Sequence, residues 1–348
     1  MKYLMITSMR NEAPYLLEWL AYHQSIGVTG FLIYSNDCDD GTDTMLNRLD
    51  ALGVITHVRN DKITKAGVQW TALKRASNHP MRKKADWILF ADVDEFVNIK
   101  VGAGHLDDLL AACPDATAFA LTWRMFGNDG RVQIEDALVI EQFNKCARFP
   151  CYAPITSSMF KTLFKNDGSY EKLGVHRPKN RMQRDASKVK WVNGSGKPLG
   201  PEYLDQATVT YGANGGIDLA CLNHYSVKSA KSYLAKTQRG LPNRSDKQLD
   251  LGYWVDRNFN QVEDVTIHRN IAKTDEKMKV WLADEQLGAL HEAGVKWHQD
   301  CAQTVLADME GVRLLTRIAS LTRADLNPQF AASLAQMMNA AQRKDKDR

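Results

Sequence analysis

The sequence has no Cys-x-x-Cys pair. Its six cysteines, Cys38, Cys113, Cys146, Cys151, Cys221 and Cys301, show neither metal-knuckle nor secreted-scaffold spacing. They read as reduced cytosolic thiols that mostly pack. No apolar run approaches the ~20 residues of a membrane span. The N-terminus is one Lys and a short apolar segment followed by Arg10, Asn11 and Glu12, which is not the pattern of a signal peptide. Internal repeats and low-complexity tracts are missing. Charge of one sign is also scarce: the net charge of +4 is spread along the chain, which argues against a nucleic-acid partner but suits a site that handles anions. The first strand-to-helix turn, Ser8-Met9-Arg10-Asn11-Glu12, holds no glycine, and no Walker A lysine motif follows. A glycine cradle for a dinucleotide or triphosphate is therefore excluded, and any nucleotide must be held by side chains and metal.

What is present is an ordinary globular balance, 44% hydrophobic and 25% charged over 348 residues, enough to bury a core without staples. The first hundred residues alternate strand and helix: strand 3–7, helix 13–26 with Pro14 in its first turn, strand 31–35, helix 43–52, strand 54–59, helix 69–78, then a strand from Trp87. That alternation predicts a parallel, doubly wound α/β sheet. The loops after Thr7, Ser35 and Phe90 then share one edge, where Arg10, Asn36, Asp37 and Asp92 can meet. Further along, strands are expected over 116–123, 156–164, around Val175-His176 and over 219–224. A flexible loop is expected at 125–130, and helices over 228–238, 277–290, 297–310 and 329–341, the last followed by a charged tail.

The densest signal is Trp87-Ile88-Leu89-Phe90-Ala91-Asp92-Val93-Asp94-Glu95-Phe96. A buried strand runs into three carboxylates. If the chain stays extended, Asp92 and Asp94 point to one side. Two hard oxygen ligands there suit Mg²⁺ or Mn²⁺, ions that also bind substrate phosphates. The competing reading makes Asp92 a turn cap and leaves Asp94 and Glu95 solvated.

Taken together, Met9-Arg10-Asn11-Glu12, Tyr34-Ser35-Asn36-Asp37, Asp40-Gly41-Thr42, Ala91-Asp92-Val93-Asp94-Glu95-Phe96, Met125-Phe126-Gly127, Val175-His176-Arg177-Pro178 and Asn223-His224-Tyr225-x-x-Lys228-Ser229 resemble bacterial glycosyltransferase family 2-like proteins. The nearest branch carries Asp-x-Asp-Glu-Phe and is similar to the family 92 glycosyltransferases. The resemblance covers 1–240, and 241–348 reads as a C-terminal helical extension. It implies a GT-A-type nucleotide-diphospho-sugar transferase fold. It also implies transfer of a sugar from a nucleotide-sugar donor, typically a UDP-sugar, with a divalent metal and with inversion. The acceptor would be a glycan or a lipid-linked saccharide, handled in the cytoplasm or at the inner face of the membrane.

Each role then has its candidates. Asp94 is the first choice as direct metal ligand, with Asp92 binding through water or holding donor hydroxyls. A third ligand is His224, with His176 as its competitor. Lys228, Lys236 and Arg239 would face the diphosphate, or form a solvated basic helix face. Arg10 would contact donor phosphate or sugar, unless its neighbours Asn11 and Glu12 simply cap the next helix. Thr7, Asn36 and Asp37 would read base or ribose, although Asp37 also suits a turn. An inverting enzyme needs a carboxylate base for the acceptor hydroxyl. Asp129 is favoured, in a glycine-flanked loop able to close, with Glu171 and Asp218 behind it. Two other readings remain: a sugar nucleotidyltransferase, which would want a glycine-rich first loop and a lysine, and a non-catalytic nucleotide-sugar-binding subunit. The helix over 329–341 suits docking or peripheral membrane contact.

Overall fold

The strand β1 (Tyr3–Met9) sends Tyr3, Met5 and Met9 into one core and Leu4 and Ile6 into another. A period of two on a sheet covered on both faces requires that division. The structure, a computed structural model, describes residues 1–239, 249–321, 329, 333, 336 and 337. The helix α1 (Ala13–Ser25) has Pro14 in its first turn; its N-cap residue Glu12 makes no side-chain capping bond, and Asn11 Oδ1 accepts from Asp39 N at 2.7 Å. Its orphan donors are taken from outside: Ala13 N donates to Asp40 Oδ2 at 2.9 Å, and Glu12 N to Thr42 Oγ1 at 2.9 Å. The strand β2 (Gly30–Ser35), helix α2 (Thr42–Ala51), strand β3 (Thr56–Arg59), helices α3 (Val68–Ser77) and α4 (Pro80–Lys84), and strand β4 (Trp87–Phe90) complete the alternation.

The chain reverses after Phe90. Glu95 N donates to Asp92 O at 3.0 Å, and Glu95 Oε2 accepts from Asp92 N at 2.8 Å, so residues 92–95 form a turn locked by the Glu95 side chain. The extended run expected through Asp92 and Asp94 is not there, and Glu95 is fully buried rather than solvated. From that turn the strand β5 (Glu95–Ile99) leads to α5 (Leu106–Ala112) and β6 (Ala118–Met125). The short α6 (Val139–Gln142) and β7 (Lys145–Cys146) follow. Then come β8 (Phe160–Lys165), β9 (Tyr170–Lys172), β10 (Lys179–Arg181), β11 (Trp191–Asn193), α7 (Glu202–Asp205) and β12 (Ala220–His224). No strand forms at Val175-His176, which sits in a bend.

The nine-stranded sheet has the order β3-β2-β1-β4-β8-β6-β12-β5, with β11 beside β6. Strands β3, β2, β1 and β4 are mutually parallel, β8 runs antiparallel to β4 and β6, and β5 runs antiparallel to β12. This is the mostly parallel GT-A-type arrangement that the resemblance implies.

The later segments are α8 (Ala230–Arg239), α9 (Leu251–Val255), β13 (Val262–Glu263), α10 (Ile271–Leu282), α11 (Glu285–Leu306) and α12 (Met309–Leu321). Helix α10 packs along α1, α11 against α1 and α8, and α12 against α8. Tyr233, Leu234, Trp254, Leu306, Val312, Leu315 and Ile318 share a third core. His298 Nε2 lies 3.0 Å from Asp40 Oδ2, so α11 holds the carboxylate that caps α1. The expected boundary at 240 falls within 240–248, which lie outside the described residues, as does most of the expected helix 329–341 and its tail. Among the described residues, no helix is long and apolar enough to cross a membrane.

Candidate functional site

At the carboxyl ends of β1, β2 and β4 lies a cleft of about 1160 Å³. Open α/β sheets place ligands at this edge. Arg10, Asn36, Asp37, Asp92, Asp94, His224 and Lys236 all line it. The first two loops interlock there. Arg10 Nε donates to Asp37 O at 2.9 Å, and Asn36 Nδ2 to Asp37 Oδ2 at 3.0 Å. Asp37 adopts φ 45°, the left-handed region that Asp tolerates in turns.

Asp92 points back toward the sheet. Its Oδ2 accepts from Lys161 Nζ at 2.9 Å and its Oδ1 from Gln69 Nε2 at 3.1 Å. Lys161, on β8, also lies 3.4 Å from Glu95 Oε2. Burial would push the Lys161 ammonium down, but Asp92 and Glu95 outweigh it and hold it up. Burial pushes the Glu95 carboxyl up, against the pull of Lys161. Trp123 Nε1 donates to Glu95 Oε1 at 2.8 Å, so Glu95 is fully engaged beneath the turn.

Asp94 and His224 meet because of strand register. β12 pairs His224 with Glu95, and Tyr225 N donates to Asp94 O at 2.8 Å. His224 Nε2 then stands 3.5 Å from Asp94 Oδ1, while Lys236 Nζ on α8 is 3.2 Å from Asp94 Oδ2. Asp94 is buried, which would raise its carboxyl, but Lys236, His224 and Lys228 hold it well below the usual range. Burial lowers His224 despite Asp94, which favours the neutral ring. Its Nδ1 is buried with no hydrogen-bond partner. A neutral imidazole facing a carboxylate is the ligating form of both groups. A separation of 3.5 Å also suits two bonds of about 2.1 Å to one ion. Asp94 and His224 therefore fit a Mn²⁺ or Mg²⁺ ion. Asp92 is committed to Lys161, and among the described residues there is no group of three or more His, Cys, Asp and Glu able to hold a metal. Such an ion would draw most of its ligands from water and phosphate, as Mg²⁺ usually does.

Several expected residues lie elsewhere. Thr7 is fully buried in β1, away from the lining, and its Oγ1 has no partner. Lys228 stands 4.1 Å over the Tyr15 ring and is buried outside the cleft. Arg239 ends α8, and its side chain is outside the described residues. His176 does not line the cleft: its Nδ1 is 3.0 Å from Phe160 O, and burial pushes it down to about 4.

None of the three expected bases reaches the cleft. Asp129 pairs with Lys145 at 2.9 Å, and its loop is pinned rather than free, with Asn128 N and Asp129 N donating to Asn258 Oδ1 and Asn260 Oδ1. Gly127 lets that pinning happen, since a Cβ there would lie 2.5 Å from Phe259 O. Asp218 Oδ2 accepts from Ser195 Oγ at 2.7 Å on the exposed surface. Glu171 sits exposed on β9, accepting from Asn180 Nδ2 at 2.9 Å.

Three further carboxylates that line the cleft come from the C-terminal region: Asp256, Asp308 and Glu310. Tyr253 and Arg257 line it as well. Sequence reasoning missed these residues because 251–258 carries no motif and because Asp308 and Glu310 end a segment, 297–310, that reads only as a helix.

Residues 6–194 match glycosyltransferase family 92. A family 92 protein of Oryza sativa subsp. japonica is 33% identical over 134 residues, which is 37% of this chain and 22% of the relative. One of Ricinus communis is 29% identical over 125 residues, 33% of this chain and 20% of the relative. The chain thus spans about a fifth of the length of these curated relatives. A crystal structure of S. aureus TarS is similar over 87% of this chain and 91% of that one, with 10% identity and a TM-score of 0.32. The family match takes in more than half of the sequence, from β1 through the Asp92–Glu95 turn to β11, so the chain belongs to glycosyltransferase family 92.

Proposed function

We propose that this chain is a metal-dependent glycosyltransferase that moves a sugar from a nucleotide-sugar donor, a UDP-sugar by the resemblance, to a saccharide or lipid-linked acceptor with inversion. One observation carries the reading: a carboxylate and a neutral imidazole 3.5 Å apart, at the sheet edge where Arg10, Asn36 and Asp37 also gather.

Asp94 and His224 would hold the ion. Bound there, a divalent metal neutralises charge on the departing diphosphate. The chain's own residues do the rest. Asn36 and Asp37 present amide and carboxylate groups for ribose and base. Arg10 and Lys236 add positive charge at the cleft wall, where a preorganised cation is worth most. Lys161 neutralises Asp92, and Glu95 fixes the turn, so Asp94 is held rather than left to swing. The acceptor hydroxyl needs a carboxylate base within reach in the cleft. We assign Asp256, which lines the cleft and has no side-chain hydrogen bond or ion pair among the described residues.

The test is thermal unfolding of wild type and Asp94→Ala against UDP, GDP, CMP and ADP, each with Mn²⁺ or EDTA. At about 100 times Kd, a ligand stabilises the fold by roughly 2.7 kcal/mol. One nucleotide should shift wild type with metal and leave Asp94→Ala unmoved. No shift with any of them removes the reading.

A further inference from the structure

The cations of the cleft differ in what they already neutralise. Lys161 is spent on Asp92 and Glu95, and Lys236 on Asp94. Arg10 lies 3.7 Å from Asp39. Arg257 lines the cleft as well, and among the described residues its guanidinium has no hydrogen bond or ion pair.

Its position is built. The guanidinium carbon sits 3.9 Å from the centroid of the Tyr253 ring, and Lys236 Nζ lies 5.6 Å from the same centroid. Tyr253 stacks in turn on Tyr233 of α8, with ring centroids 6.0 Å apart at 20°. The segment beneath is anchored at both ends. Asp250 Oδ1 accepts from Tyr253 N at 3.1 Å, Tyr233 Oη donates to Asp250 O at 2.6 Å, and Trp254 is buried in the C-terminal core. One aromatic platform thus carries two cations that line the cleft, and one of them, Lys236, reaches Asp94. A guanidinium stacked on an aromatic ring keeps its fork free, and that fork matches phosphate oxygens in pairs.

We infer that Arg257, which lies in the C-terminal region beyond the family-matched stretch, binds the diphosphate of the donor. This rests on the nucleotide-sugar reading above. It makes the C-terminal region part of the donor site rather than an appendage.

The experiment is calorimetric titration of wild type, Arg257→Gln and Arg257→Lys in Mn²⁺. The probes are whichever of UDP, GDP or ADP binds wild type, its monophosphate and its free nucleoside. Loss of a charge-assisted contact should weaken the diphosphate about 10- to 100-fold in Arg257→Gln. Nucleoside affinity and the ligand-free unfolding midpoint should stay put, and Arg257→Lys should recover part of the loss. A wild-type ratio of diphosphate to monophosphate affinity in Arg257→Gln overturns the assignment while leaving the donor reading intact. Failure of wild type to bind any diphosphate overturns both. If Arg257→Gln lowers the ligand-free midpoint, the decision passes to Arg257→Lys, which keeps charge and bulk: an unchanged affinity ratio there overturns the paired contact.

Discussion

The ammonium of Lys161, fully buried on β8, lies 2.9 Å from Asp92 Oδ2, so one carboxylate of the Asp-x-Asp pair is neutralised from inside the sheet. The same ammonium faces Glu95 at 3.4 Å. Lys161→Ala should leave Glu95 buried without its cation and cost roughly 3–5 kcal/mol. Urea unfolding measures this. A loss under about 1 kcal/mol would mean that the pair is not what holds the turn.

The two histidines separate by role. His224→Ala should remove the extra stabilisation that Mn²⁺ gives in the presence of nucleotide, while leaving any metal-free nucleotide shift. His176→Ala should lower the unfolding midpoint but keep the metal-dependent increment, because His176 bonds Phe160 O and stays outside the cleft. The reverse pattern would assign the ion to His176.

Asp256→Asn should bind nucleotide like wild type and lose most sugar transfer, on the order of 10²–10⁴-fold, the usual contribution of a general base. Transfer assays beside nucleotide titrations check it. Unchanged transfer would return the base to another carboxylate of the cleft, Asp308 or Glu310.

Stability should also carry a pH signature from Glu18 on α1. Burial lifts its carboxyl from 4.5 to about 7, against the N–H groups of Ile140 and Val139 and the charge of Lys228. The folded state therefore holds this proton more tightly than the unfolded chain. Its contribution is complete below about 4.5 and lost as pH rises toward 7. The loss is on the order of 3 kcal/mol. Glu18→Gln should flatten the decline in unfolding free energy between these two pH values. A decline equal to wild type's would place its origin elsewhere.

The sequence alone settled the alternating elements of the first hundred residues. Apolar periodicity and the punctuation at Pro14, Gly41 and Gly53 are local, and local chemistry forms the same helices and strands wherever the chain lies. It also singled out Asp92, Asp94 and His224 by residue type and by their place at strand ends. Only the tertiary structure decided what each one faces. Lys161 is 69 residues from Asp92, and no periodicity links them. The register of β12 on β5 is what brings His224 beside Asp94. The flexible base-bearing loop expected at Asp129 became a pinned turn because Asn258 and Asn260 reach it from 130 or more residues away. The contribution of Tyr253, Asp256 and Arg257 to the cleft was illegible for the same reason. A side chain's orientation toward a site belongs to the packing of α8, α9 and α12, and that packing is fixed by a shared core rather than by neighbours in sequence.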